Sequence, residues 1–105
     1  MTGQARAYEA TRKDLEAERA SGLSRATERL EAALKELSAR DASCAGAPTR
    51  AAKELRREAL TQARERLWYL VIHREALGLY RHEIVHEVLG VPREVRVAMG
   101  PRRAR

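Results

Sequence analysis

The sequence contains no phenylalanine and few of the residues that build a thick core or a covalent scaffold. Its 105 residues include one Trp, three Tyr, three Pro and one Cys, whereas Ala occurs 19 times. The single Cys44 excludes an intrachain disulfide and favours a reducing compartment. Burial contributes about 25 cal/mol per Å² of apolar surface, so contacts between Ala and Leu stabilise a fold only modestly. We therefore expect one small domain, residues 1–105, that gains stability from association.

Long apolar runs are absent as well. A segment that crosses a bilayer needs about 20 consecutive apolar residues, and no run in this sequence approaches that length. The first residues also lack the apolar segment of a signal peptide. These absences lead us to expect a cytoplasmic protein without a membrane partner.

Positive charge is unevenly distributed along the chain. The net charge is +6, and residues 51–105 contain 12 Lys and Arg against 7 Glu, whereas residues 1–50 contain 9 against 8 acidic residues. The last thirteen residues form a basic segment that is suited to phosphate or to an acidic protein surface, or that serves only as a solubilising tail. The candidate phosphate contacts are Arg93, Arg96, Arg102, Arg103 and Arg105.

Two long helices are predicted, over residues 5–40 and 49–78, on either side of one short loop. Gly46 and Pro48 mark that loop, and Thr49 is a suitable N-cap for the second helix. A short connection makes two helices antiparallel neighbours, which predicts an all-α antiparallel helical hairpin. In the first helix, apolar residues recur at steps of three and four, at Leu23, Ala26, Leu30, Ala33, Leu34 and Leu37, and sevenfold spacing extends the stripe back to Leu15 and Tyr8.

Gly22 interrupts that stripe and has two interpretations. It either ends a first helix, with Ser24 capping the next one, or it lies within one long helix at a point where another backbone approaches closely. No proline accompanies it, which favours one long helix with a bend.

Residues 67–72 are the one run of six large apolar residues, and we call them the apolar hub. The flanking residues contain no turn signal before the run, so the hub is predicted to be helical and covered from several directions. Its members are Leu67, Trp68, Tyr69, Leu70, Val71 and Ile72.

Two short helices are predicted after Gly78, packed over Trp68. The first spans residues 79–89 and ends in a left-handed Gly90, with Val91 placed for the accompanying hydrophobic contact. Pro92 suits the first turn of the second, residues 93–99. Residues 1–4 and 101–105 are expected to be flexible ends.

The segment His82 to His86 matches the His-Glu-x-x-His pattern of zinc metallopeptidases. In those enzymes two histidines one turn apart bind zinc, and the glutamate activates the bound water. The extended pattern requires Gly and His where this chain has Leu89 and Pro92, and no strand is predicted to align a substrate. We therefore favour a solvated amphipathic helix, with no metal, no cofactor and no catalytic residue.

Residues 83–92 resemble the first helix and glycine turn of a helix-turn-helix. Gly90 lies where the turn requires it, but His86 replaces a small packing residue, and Arg96 lies where a buried Val is expected. Arg93 and Arg96 would lie on the second helix, near phosphate. Nucleic-acid binding is thus the alternative to the function that we favour, a non-enzymatic module that self-associates or binds a protein partner.

Several segments are similar to a family of short bacterial helical proteins described only as a domain of unknown function. The similarity lies in residues 67–78, 91–95 and 99–100, with further likeness at 15–23 and 30–34, and it covers roughly residues 8–100. It implies a compact helical protein without an assigned activity and supplies no functional residues. A zinc motif is not part of that family's pattern.

Overall fold

A computed structural model describes the backbone of residues 3–102 and the side chains of residues 12–14 and 20–102. These residues form four helices, in chain order α1 (Gly3–Ser43), α2 (Arg50–Ala76), α3 (Glu83–Val88) and α4 (Arg93–Arg96). The described residues contain no strand, so the prediction of an all-α protein is confirmed. The molecule is elongated, with a longest dimension of 71 Å.

The two long helices pack together along the apolar stripe that the sequence predicts. The α1 residues Leu30 and Leu37 and the α2 residues Leu67 and Leu70 are buried almost completely. Small residues fill the spaces between them, because an alanine allows two helix backbones to approach closely: Ala26, Ala33, Ala59 and Ala63 are all buried. We call this contact the α1–α2 seam.

Gly22 lies inside α1, which runs through it without interruption, so the interpretation of residues 5–40 as one helix is confirmed. The expected approach of another backbone is wrong. A Cβ atom at Gly22 would meet only the His73 ring, at 3.9 Å, which is an ordinary contact with a side chain. The predicted stripe members Tyr8 and Leu15 lie outside the described side chains.

The helix boundaries follow local capping chemistry. Helix α1 continues to Ser43, three residues beyond its predicted end, and the loop is correspondingly shorter. The Thr49 hydroxyl accepts a hydrogen bond from the Ala52 N–H at 3.1 Å, as predicted for an N-cap.

Gly78 and Gly90 end α2 and α3 in the same way. Their φ angles are +79° and +61°, in the left-handed region that glycine adopts without strain. After Gly78 the Leu79 N–H donates to the Arg74 carbonyl at 2.9 Å, and after Gly90 the Val91 N–H donates to the His86 carbonyl at 3.0 Å. Both are Schellman-type ends, which satisfy carbonyl groups that the helix leaves unpaired. The prediction for Gly90 and the buried Val91 is confirmed.

The short C-terminal helices are shorter than predicted. Helix α3 begins at Glu83 rather than residue 79, and α4 spans residues 93–96 rather than 93–99. The Schellman turn at Gly78 sends the chain out of the helical path, so Leu79 and Tyr80 form a connection without regular secondary structure before α3 starts. The spacing of the apolar residues alone does not indicate that α3 begins at Glu83.

The apolar hub is buried on one face only, and its predicted cover from several directions is wrong. Leu67, Leu70 and Val71 belong to the core, but Tyr69 and Ile72 are 43% and 42% exposed. Trp68 is half-buried and contacts the Tyr69 ring, with the centroids 5.1 Å apart. The reason is geometric: α1 covers one side of α2, and residues 85–95 add only three buried valines, at positions 85, 91 and 95.

Candidate functional site

Large apolar side chains are exposed around α3. Val88 and Tyr80 are 76% and 69% exposed, and Ile84 and Leu79 are exposed as well. We call these four residues the C-terminal apolar surface. Because Ile84 and Val88 are four positions apart, they share the outer face of α3, while Val85 points into the core. One short helix thus has apolar residues on both its inner and its outer face.

The segment that bears this surface is fixed to α2 by both apolar and polar contacts. Val95 of α4 is completely buried. The Arg56 guanidinium donates two hydrogen bonds to the Glu94 carboxylate, at 3.3 and 2.7 Å, and a third to Asp41 at 2.6 Å. These hydrogen bonds, first to Glu94 and then to Asp41, raise the pKa of Arg56. One arginine therefore links α1, α2 and α4.

The two histidines of the His-Glu-x-x-His segment have different environments. The Nε2 atom of His82 lies 3.1 Å from the Glu75 carboxylate of α2, a partner that the sequence analysis missed. His82 and Glu75 lie on either side of the Gly78 turn, and this placement in the sequence would have indicated their contact. Burial, followed by the charge of Arg96, lowers the pKa of His86 and favours its neutral form. A zinc site needs at least three protein ligands. Among the described side chains, those of residues 12–14 and 20–102, no group of three His, Cys, Asp or Glu is placed to hold a metal ion.

The predicted phosphate contacts have different environments in the structure. Arg93 and Arg96 are exposed and make no ion pair with a described residue. Arg102 is bound to α2: its Nη1 atom lies 2.6 Å from Glu58, and its backbone N–H donates to Glu65 at 3.2 Å. Arg103 and Arg105 lie outside the described residues.

The proposed helix-turn-helix segment ends in a very short helix. Helix α4 has four residues, or about 6 Å at 1.5 Å per residue. Its buried side chain is Val95, and Arg96 is exposed. A helix-turn-helix requires its buried residue one position later, at Arg96. The buried position of α4 is therefore rotated relative to that motif.

An open groove of about 790 Å³ lies between α2 and residues 98–102. The charges along it are mostly satisfied within the protein. Arg57 pairs with Glu54 at 3.1 Å, Arg102 pairs with Glu58, and Arg64 donates to the Glu94 backbone carbonyl at 3.1 Å. The groove therefore shows how the C-terminal segment is attached to α2, since its polar groups are engaged in that attachment.

Comparison with known proteins gives no relative from which a role could be transferred. No family model, curated protein or solved structure matches the chain. The similarity to an uncharacterised bacterial family and the cytoplasmic location thus stay predictions. Within residues 3–102, no helix combines the length and the apolar character needed to cross a membrane.

Proposed function

We propose that this chain is a non-enzymatic interaction module, an antiparallel helical hairpin that self-associates through its C-terminal apolar surface. The observation that supports the proposal is the exposure of four large apolar side chains within ten residues, two of them by more than two thirds. Contiguous exposed apolar surface is a usual mark of a protein contact. The α1–α2 seam is a thin core made largely of Ala and Leu, so burying this surface would add appreciably to stability.

The charge of the surface favours a second copy of the same chain as the partner. Residues 79–91 contain Arg81, Glu83 and Glu87, so this segment has a formal charge of −1 in a chain of +6. Two copies that meet here bring together nearly neutral segments and keep their basic residues apart. Repulsion between the chains is therefore small at the contact itself. A twofold contact, in which α3 meets its own copy, is the simplest arrangement.

Sedimentation of the full chain over a concentration series, in low and in high salt, tests this proposal. Association by apolar burial should persist or strengthen in high salt, since only charge interactions are screened. We expect a dimer under both conditions. A monomer at all concentrations, or an assembly that dissociates in high salt, would contradict the proposal.

Nucleic-acid binding is a second candidate, supported by the free guanidinium groups of Arg93 and Arg96 on α4. If these arginines bind phosphate, affinity for duplex DNA should fall with salt, by about 0.9 of a logarithmic unit per contact. The double variant Arg93→Gln/Arg96→Gln should then reduce the slope of log affinity against log salt concentration by about 1.8, the value for two contacts. Removing residues 102–105 should flatten it further if the terminal arginines take part. A slope that neither change affects would exclude this candidate.

A further inference from the structure

A second groove lies between α1 and α2 and is lined mainly by basic side chains. Its residues precede the C-terminal apolar surface in the sequence. Its volume is about 580 Å³, and Arg25, Arg29, Arg66, Tyr69 and His73 line it. On α1 the two arginines are one turn apart, and on α2 the three residues follow at steps of three and four, so each set lies on one helix face. Gly22 and Ala26 leave space between the two faces. We call this the basic groove.

The arginines of the basic groove, like Arg93 and Arg96 of α4, lack the carboxylate partners that several other described arginines have. Arg40, Arg56, Arg57 and Arg102 all form ion pairs with nearby carboxylates. By contrast, the groove arginines form none with any described residue. No carboxylate lies three or four positions from Arg29 or Arg66, whereas Glu28 lies three positions after Arg25. Like charges at the spacing of Arg25 and Arg29 disfavour a helix slightly, so this arrangement does not serve helix stability.

The single carboxylate at the groove is already engaged. Glu65 accepts the backbone N–H of Arg102 at 3.2 Å, and the Arg102 Nε atom lies 3.8 Å from it. Glu65 is thereby directed toward the C-terminal segment and partly neutralised there. Three guanidinium groups consequently remain to face solvent in one concave site, and guanidinium groups are well suited to phosphate oxygens.

We propose that the basic groove binds a phosphate-bearing anion with more than one charged group, such as an oligophosphate. Two guanidinium groups lie one turn apart on α1 and the third lies on α2 across the groove, and this spread suits a chain of phosphates better than one compact anion. The volume lies within the usual range for small-molecule sites. Tyr69 is 43% exposed in the middle of the α2 set and offers a ring face to an attached base. The same phosphate chemistry is found in free oligophosphates and in nucleoside triphosphates.

Titration calorimetry with sodium tripolyphosphate and with ATP, each without metal, tests this site. We expect Arg29→Gln/Arg66→Gln to weaken tripolyphosphate binding by at least about tenfold, because each charge-assisted contact contributes substantially. The matched control Arg93→Gln/Arg96→Gln removes the same charge from α4 and should weaken binding by less than about threefold. Tighter binding of ATP that Tyr69→Leu reduces to the level of tripolyphosphate would identify a nucleotide as the ligand. Equal affinity for the two probes would identify a free oligophosphate.

The result that would overturn the proposal is equal weakening in the two double variants, which would show attraction to net charge alone. Absence of binding by both probes would overturn it as well. All four substituted arginines are outside the core, so both variants should keep the helical circular-dichroism spectrum of the parent chain. Self-association through α3 does not enter this test, so the two proposals succeed or fail separately.

Discussion

The α1–α2 seam and the C-terminal segment use their apolar residues in opposite ways. In the seam, the large residues of the predicted stripe whose side chains are described belong to the core or pack against it, and Leu30 and Leu67 have no exposed surface. In residues 79–99, three valines attach the segment to the core, while Tyr80, Val88 and Val97 are 69%, 76% and 66% exposed. The seam is a completed core, and the C-terminal segment is a core on one side only.

The comparison shows that the apolar content of a segment does not determine how much of that segment is buried. A long helix with one apolar stripe can bury that stripe against a single neighbour. Helix α3 is six residues long and has apolar side chains on two faces, and no further helix in residues 3–102 covers its second face. We assign the apolar side chains on this second face to a contact between two copies of the chain.

The largest effect should come from shortening a side chain in the seam. Leu67→Ala should lower the free energy of unfolding by about 2–5 kcal/mol, because it removes buried contacts and leaves a cavity. Val88→Ala, at an exposed position, should change the stability of the monomer by less than about 0.5 kcal/mol. Urea denaturation at low protein concentration measures both. Similar losses in the two variants would remove the distinction between the two regions.

Glycine substitutions compare the turn of the C-terminal segment with the seam. Gly90→Ala should cost about 1–2 kcal/mol, since its φ of +61° is unfavourable for a residue with a Cβ atom. Gly22→Ala should instead stabilise the protein by up to about 1 kcal/mol, because Gly22 is inside α1 and a Cβ meets only the His73 ring at 3.9 Å. Thermal unfolding reports both signs. A destabilising Gly22→Ala would argue against an uninterrupted α1.

The polar connection between the two regions has a smaller expected effect. Arg56→Met removes the bonds to Asp41 and Glu94 and should cost about 1 kcal/mol, since these groups are partly exposed but form a network. Arg57→Met removes an exposed pair within α2 and should cost only a few tenths of a kcal/mol. The urea midpoints of the two variants provide the comparison. Equal midpoints would mean that Arg56 does not help to attach α4.

A modest pH dependence should arise at α3. Burial lowers the pKa of His86 in the folded protein below its usual value of 6.5, so the unfolded chain takes up a proton first as the pH falls. The associated stability is fully present above about pH 6.5 and is lost as the pH falls through the folded-state pKa. His86→Gln should flatten the dependence of the urea midpoint between pH 7.5 and 5. An unchanged dependence would assign it to other groups.

The sequence predicts the parts of this fold that depend on local chemistry and long periodicity. The two long helices, the Thr49 cap and the Gly90 end follow from residue type and spacing, which act within one or two turns. The exposure of Tyr69 and Ile72 could not be predicted in that way, because it depends on how many other elements exist to cover α2. The pairing of Arg102 with Glu58, 44 positions away, and the basic groove likewise depend on tertiary packing.

Association through the outer face of α3 can be tested by measuring the mass of one double variant in solution. Ile84→Ser/Val88→Ser removes two large apolar side chains of the C-terminal apolar surface and leaves Val85 in the core. Leu55→Ser, at a position 48% exposed on α2, is the matched control. By sedimentation equilibrium we expect a dimer for the parent chain and for Leu55→Ser, and a monomer with the same helical content for the double variant. A double variant that remains a dimer, or a parent chain that is already a monomer, would contradict association through α3.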